Sequence, residues 1–301
     1  MNRPRTATHA GLMLLALLAP GCTRHALPEL ASDAHDSSPP PPDASADAAD
    51  AADAADAARE ALTGPAELVE LRDGTERLGF VSVPLGAREP RPIMVAIHGG
   101  SDKPERACAA WRHVAEAYPF VVCPRGFGGN DARLGWRTSS DTAQRVARAV
   151  AATKALFPSW VKETRAVVLA GFSMGGSQVA LLARGDAQRY RRLVVGDSAH
   201  DPQPALTFSG AWLAGGGERA IFLCSTSGCE PSFRKAAHNV AALKGLARLN
   251  IAATQVHGLS EPVAQSMRRD WGWLVEGAEG WETYVAPTDA ALPGKTESFD
   301  R

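Results

Sequence analysis

Ser173 lies in the run Gly171-Phe172-Ser173-Met174-Gly175, a Gly-x-Ser-x-Gly pattern. A serine hydroxyl is a weak nucleophile at neutral pH. It attacks a carbonyl only when a neighbouring base takes its proton and fixed dipoles hold the oxyanion that forms. The apolar run 167–170 reads as a buried strand, and 177–182 reads as a helix packed against it. A chain that passes from strand to helix within so few residues crowds its own backbone, and residues without a Cβ fit at the crowded positions. Such a turn lifts the hydroxyl out of the sheet. It also sets the hydroxyl at a helix N-terminus, where N–H groups and the helix dipole favour developing negative charge. An ordinary strand–helix turn would tolerate the same glycines; the serine between them makes nucleophilic chemistry the stronger reading.

Two further sets of residues could complete that chemistry. Upstream, the apolar strand 92–97 ends in His98-Gly99-Gly100. Downstream, His257 follows the run 251–256, read as the last strand, and precedes Gly258. That places an imidazole at the carboxyl edge of the sheet, where ligands bind in open α/β folds. His200, after the strand 193–195, is its rival, and His238 falls inside a helical pattern.

In this order and spacing, the elbow around Ser173 and the His98-Gly99-Gly100 turn resemble the α/β-hydrolase family. Within it they resemble the cap-poor esterases and the phospholipase/carboxylesterase-like members, over about residues 66–285. The resemblance implies that the backbone N–H groups of Gly100 (or Gly99) and Met174 form the oxyanion hole. It also implies the chain order serine, acid, histidine, with Ser173 as nucleophile and His257 as base. The family places the acid after the penultimate strand, here in the loop that runs from Cys224 to Pro231. Glu230-Pro231 stands there in place of the commoner aspartate, and glutamate is an accepted variant of the triad. Asp197 and Asp201, after the strand 193–195, are the alternatives.

Elements must position these residues, and their order is that of an α/β domain. Residues 66–83 read as two strands around an Asp73-Gly74 turn. Helices are expected over 105–117, 141–156 (capped by Asp141), 240–249 and 262–276, and strands over 120–123, 193–195, 220–223 and 251–256. Residues 124–136 read as a glycine-rich loop at the rim of the site. Alternation of this kind predicts a mainly parallel sheet with helices on both faces. The short stretch between the strands at 193 and 220 leaves no room for a large cap.

The rest of the chain reads as delivery. Arg3 and Arg5 precede an apolar run, 11–19, too short to span a bilayer, and 1–21 is expected to be a signal peptide. Leu17-Leu18-Ala19-Pro20-Gly21-Cys22 resembles a bacterial lipoprotein cleavage box, which implies lipidation of Cys22 and an exported protein anchored to a membrane of the cell envelope. Residues 22–65 then form a tether. Within it, 31–61 carry seven Asp, one Glu and one Arg in an alanine- and proline-rich background, with nothing large and apolar to offset the entropy of ordering. Residues 286–301 read as a frayed tail. With Cys22 lipidated, four cysteines remain, an even number for an exported protein. Of three pairings, Cys108–Cys123 and Cys224–Cys229 are favoured.

The mild positive balance outside the acidic stretch makes no basic stripe, so nucleic acid is not an expected partner. No metal-ligand spacing or dinucleotide fingerprint is present, and no cofactor is expected. The expected substrate is a small-molecule carboxylic ester. A serine peptidase or acyltransferase on the same scaffold is the second reading, and a catalytically inactive surface-binding protein is the third.

Overall fold

Side chains alternate along each central strand between two buried sets, and this alternation builds a two-faced sheet. In the strands around Met94, Val121, Val168 and Val194, those residues face one apolar cluster. Their neighbours Val95, Val122, Leu169 and Val195 face the other. A strand buried on both sides reads as a continuous apolar run, which is what parallel sheets require. The computed structural model describes residues 59–128, 133–198, 201–252, 254, 256–288 and 292–300.

Nine strands form one sheet in the order β1-β2-β4-β3-β5-β6-β7-β8-β9. They are β1 (Leu68–Asp73), β2 (Glu76–Ser82), β3 (Ile93–Ile97), β4 (Phe120–Pro124), β5 (Val168–Phe172), β6 (Arg192–Gly196), β7 (Arg219–Cys224), β8 (Leu246–Ile251) and β9 (Lys295–Ser298). The run from β4 to β8 is parallel. β1 and β2 join one side antiparallel, and β9 joins the other antiparallel. Helices α1 (Pro104–Val114) and α7 (Glu261–Val275) cover one face, where Trp111 packs against Trp271 at 6.2 Å between ring centroids. Helices α2 (Ser139–Leu156), α3 (Met174–Gly185), α4 (Gln203–Thr207), α5 (Ser209–Ala214) and α6 (Glu230–Ala242) cover the other. The fold is the mainly parallel, doubly covered α/β sheet that the sequence predicts. Among the described residues, only the short α4 and α5 stand between β6 and β7, where a large cap would sit.

Two disulfides brace it. Cys108–Cys123 ties α1 to β4. Cys224–Cys229 spans the end of β7 and the single 3-10 turn Ser227–Cys229 that follows. Both are the expected pairings.

Five local expectations are corrected. The cap of α2 is Thr138, whose hydroxyl accepts the Asp141 N–H at 3.1 Å, while Asp141 is the third helical residue of the reciprocal capping box. Residues 240–249 are not one helix. Lys244 at φ 65° and the Gly245 N–H bonded to the Val240 carbonyl end α6, and β8 begins at Leu246. The last parallel strand therefore ends at Ile251, six residues before His257, rather than running up to it.

Part of the tail is also ordered. β9 pairs with β8, Thr296 donates to the buried Asp270 carboxylate at 2.7 Å, and Glu297 makes a two-pronged pair with Arg234 at 2.8 Å. The fold also begins before residue 66, since Leu62 is buried and its N–H bonds the Ala87 carbonyl at 2.7 Å. The expected signal peptide, Cys22, nearly all of the tether and His200 lie outside the described residues. Among the described residues, no helix is long and apolar enough to cross a membrane.

Candidate active site

The strand β5 delivers Ser173 and the helix α3 departs from it immediately, so Ser173 takes up the whole change of direction. It sits at φ 55° and ψ −124°, a conformation that residues with a Cβ rarely adopt. Ser173 still extends the ladder, donating its N–H to the Gly196 carbonyl at 2.8 Å. The tightness of the turn explains its glycines. A Cβ on Gly175 would lie 2.2 Å from the Ile97 carbonyl oxygen, and one on Gly171 would lie 2.5 Å from the Gly175 oxygen. Both residues are buried where backbone meets backbone, while Ser173 is half-buried and Met174 exposed.

The end of β3 closes against this elbow. A Cβ on Gly99 would come within 3.3 Å of the Ser173 Cβ, and one on Gly100 within 3.1 Å of the Met174 methyl group. His98 holds this segment from inside. Its Nε2 accepts the Gly126 N–H at 3.0 Å, so the proton is on Nδ1, which lies 2.7 Å from the Gly99 carbonyl oxygen and donates to it. The His98 carbonyl in turn accepts the Trp136 indole N–H at 2.8 Å. Burial holds the imidazole below its ordinary pKa, which keeps it neutral and fit to accept from Gly126. His98 is therefore a fastener of the turn rather than a base. The peptide joining Gly99 to Gly100 has its carbonyl fixed by His98, which aims the Gly100 N–H the opposite way.

His257 and Asp197 meet against Phe172, the last residue of the strand that leads into Ser173. His257 packs its ring against Phe172 at 5.2 Å between centroids, and its Nδ1 lies 3.3 Å from Asp197 Oδ2. Asp197 follows β6, is fully buried, and stands at φ 34°, a left-handed conformation that aspartate tolerates better than most residues. The same Oδ2 accepts the Ser225 N–H at 3.3 Å and the Ser225 hydroxyl.

Glu230, the acid expected from the sequence, is engaged elsewhere. Glu230 is the first residue of α6, and its carboxylate pairs with Arg234 at 3.3 Å, one helical turn on, in a cluster with Glu297. Pro231 explains the difference: proline is favoured in the first turn of a helix, so Glu230-Pro231 begins a helix instead of forming a loop. Asp201 is exposed near the start of α4. Of the three candidate carboxylates, the structure brings Asp197 to His257. The signal for it was an aspartate directly after a glycine at a strand end. Ser225 carried no signal in the sequence.

Beside Met174 opens a cleft of about 390 Å³, lined by Gly100, Phe127, Leu134, Trp136 and Arg137 among others. Phe127 and Gly135 form a bridge across the loop that walls it. Among the described residues, no group of three or more His, Cys, Asp or Glu side chains could hold a metal ion.

No family model matches the chain. No curated protein matches it either. Solved structures do. Est1E from Butyrivibrio proteoclasticus is similar with a TM-score of 0.51 at 14% identity, covering 70% of this chain and 98% of that one. FphF, a fluorophosphonate-binding serine hydrolase of Staphylococcus aureus, gives 0.48 at 15% identity over 70% of this chain and 99% of that one. The Bacillus cereus carboxylesterase gives 0.41 at 9% identity, covering 67% and 91% respectively. Identities this low speak to architecture alone. With a mainly parallel nine-stranded sheet and a strained serine between β5 and α3, the chain has the α/β-hydrolase fold.

Proposed function

We propose that the protein is a serine hydrolase of carboxylic esters that works through an acyl-enzyme. The observation that carries this reading is the His257–Asp197 pair at 3.3 Å, whose imidazole packs on Phe172, the residue before a serine held at φ 55° on a strand–helix elbow. Ser173 Oγ attacks the ester carbonyl as His257 Nε2 takes its proton. The imidazolium that results is stabilised through Nδ1 by the buried Asp197 carboxylate. The carbonyl oxygen becomes an oxyanion, received by the N–H groups of Gly100 and Met174, the second of which is among the unpaired first donors of α3. His257 returns the proton to the departing alcohol, and a water activated by the same imidazole releases the acid. The cleft of about 390 Å³ beside Met174, lined by Phe127, Leu134 and Trp136 together with Arg133 and Arg137, offers a place of mixed polarity for one side of a small ester. The exported, Cys22-anchored form implied by the N-terminal residues belongs to the same proposal: the tether would hold this domain off a membrane surface. A Cys22→Ser variant that stays in the membrane fraction would end that part of it.

The test is chemical. Wild-type protein should be labelled by a fluorophosphonate probe and should hydrolyse p-nitrophenyl esters, and Ser173→Ala should lose both, with a rate loss of at least about a thousandfold. Hydrolysis by pure Ser173→Ala protein at near wild-type rate overturns the assignment.

A further inference from the structure

One fully buried hydroxyl beside the site has no part in the reaction steps above. Ser225 follows β7 directly. A buried serine usually returns its hydroxyl to a nearby carbonyl of its own helix or turn. Ser225 instead directs both of its donors, Oγ–H and N–H, to one atom, Asp197 Oδ2. That atom is also the one 3.3 Å from His257 Nδ1.

The third polar group of Ser225 reaches the histidine loop. Its carbonyl accepts the Thr254 N–H at 2.9 Å and the Thr254 hydroxyl at 2.8 Å, and the same hydroxyl lies 3.1 Å from the Val256 carbonyl, next to His257. On the other side the Asp197 N–H bonds the Leu223 carbonyl at 2.8 Å, two residues before Ser225. The backbone of Ser225 is thus fixed by β7 before it, by Thr254 across from it and by the Cys224–Cys229 bridge around it.

We propose that Ser225 is the positioning residue of the acid, holding Asp197 Oδ2 at the point where His257 Nδ1 must meet it and tying that point to the loop that carries the histidine. The proposal rests on the reading of Ser173, His257 and Asp197 as the working groups. An aspartate at the end of a strand has two side-chain torsions free to turn. With a serine fixed on three sides and donating twice to one oxygen, the carboxylate has one orientation. Charge-assisted bonds of this kind are the strong ones. Because Ser225 touches neither the ester nor Ser173 in this scheme, its loss acts on kcat through the orientation of His257 and leaves ester binding alone.

Full-length protein carrying Ser225→Ala, Asp197→Asn or both separates this role from a packing role. Ser225→Ala should lower kcat tenfold or more with KM within about twofold of wild type. In the Asp197→Asn background the same change should cost less than about twofold, because its route to the reaction is already cut. Wild-type kcat in Ser225→Ala, or losses that multiply in the double variant, overturns the proposal.

A second measurement needs no turnover: the Nδ1 proton of His257, observed by NMR in selectively labelled Ser173→Ala protein. It should shift upfield or exchange away when Ser225→Ala is added, and an unchanged resonance counts against the proposal. Absence of Ser173-dependent hydrolysis in wild-type protein would instead strike the hydrolase reading, and the NMR arm would still decide the role of Ser225.

Discussion

The two sides of the site are built from different materials. On the serine side, β3, β5 and α3 meet backbone to backbone, and the geometry is enforced by the absence of side chains. A Cβ at Gly175 or Gly171 would meet a carbonyl oxygen at 2.2 or 2.5 Å. On the acid–base side, the ends of β6 and β7 and the loop before α7 meet through side chains: Asp197, Ser225, Thr254 and His257. The first kind of structure is specified within five consecutive residues. The second needs three segments spread over some sixty residues to agree on one oxygen atom. A motif can encode the first, whereas the second exists only once the sheet has formed and set β6 beside β7.

The comparison is broken most severely at the carboxylate. Asp197→Asn should lower kcat by about ten-thousandfold with the fold intact, because the neutral amide favours the wrong imidazole tautomer and cannot stabilise the imidazolium. Glu230→Gln should change the rate less than about threefold, since its partner is Arg234. Steady-state kinetics on p-nitrophenyl acetate decide between them, and the reverse ranking would return the acid to α6.

What the sequence disclosed follows the same division. The elbow, the His98 turn, both disulfides and the sheet were legible, because each rests on a local run: an apolar stretch, a glycine pair, a cysteine spacing. Asp197 was visible only as one of three carboxylates. The expected strand order favours Glu230, while the proline beside it is already a helix-start signal. The order in the tail is hidden for a related reason. Lys295–Ser298 carries no apolar pattern, and its strand depends on Thr296 reaching Asp270 and Glu297 reaching Arg234, partners remote in sequence. Ser225 was silent because a serine at a strand end is ordinary until the atom it faces is known.

The two disulfides sharpen the contrast at the next level. Cys108–Cys123 closes a 15-residue separation in the scaffold, and its loss should cost about 3 kcal/mol of stability by loop entropy. Its effect on kcat should be small. Cys224–Cys229 closes only five residues, worth about 2 kcal/mol on the same relation, but it brackets Ser225. Replacing that pair by alanines should therefore damage kcat more than the first pair does while lowering Tm less. Thermal unfolding and kinetics on the two double variants test this, and equal kcat losses would dissolve the distinction.

At Ser173 the serine side stores strain, which permits a smaller test. Glycine in place of alanine ordinarily destabilises a folded chain by about 0.5–1 kcal/mol. At φ 55° and ψ −124° the order should invert, with Ser173→Gly more stable than Ser173→Ala by about 1 kcal/mol, both being inactive. Denaturant unfolding of the two variants reads the sign directly.

The smallest effect concerns His98, where the serine side depends on a side chain after all. Burial lowers the pKa of this imidazole from its ordinary 6.5. The folded state therefore refuses a proton that the unfolded chain accepts. Well above pH 6.5 both states are essentially unprotonated, and the group adds almost no pH dependence. As pH falls through 6.5 the unfolded chain gains the proton first, and stability falls with a slope approaching about 1.4 kcal/mol per pH unit until the folded pKa is reached. His98→Asn keeps an N–H donor for the Gly99 carbonyl but cannot titrate. The remaining histidines contribute alike to both proteins, so the difference between their unfolding free energies isolates His98. That difference should be constant from pH 8 to 7 and then move in favour of the variant by up to about 1 kcal/mol by pH 5.5. Parallel curves over the whole range would mean that His98 takes up its proton in the folded state, and the Gly126 N–H would then have no acceptor on Nε2.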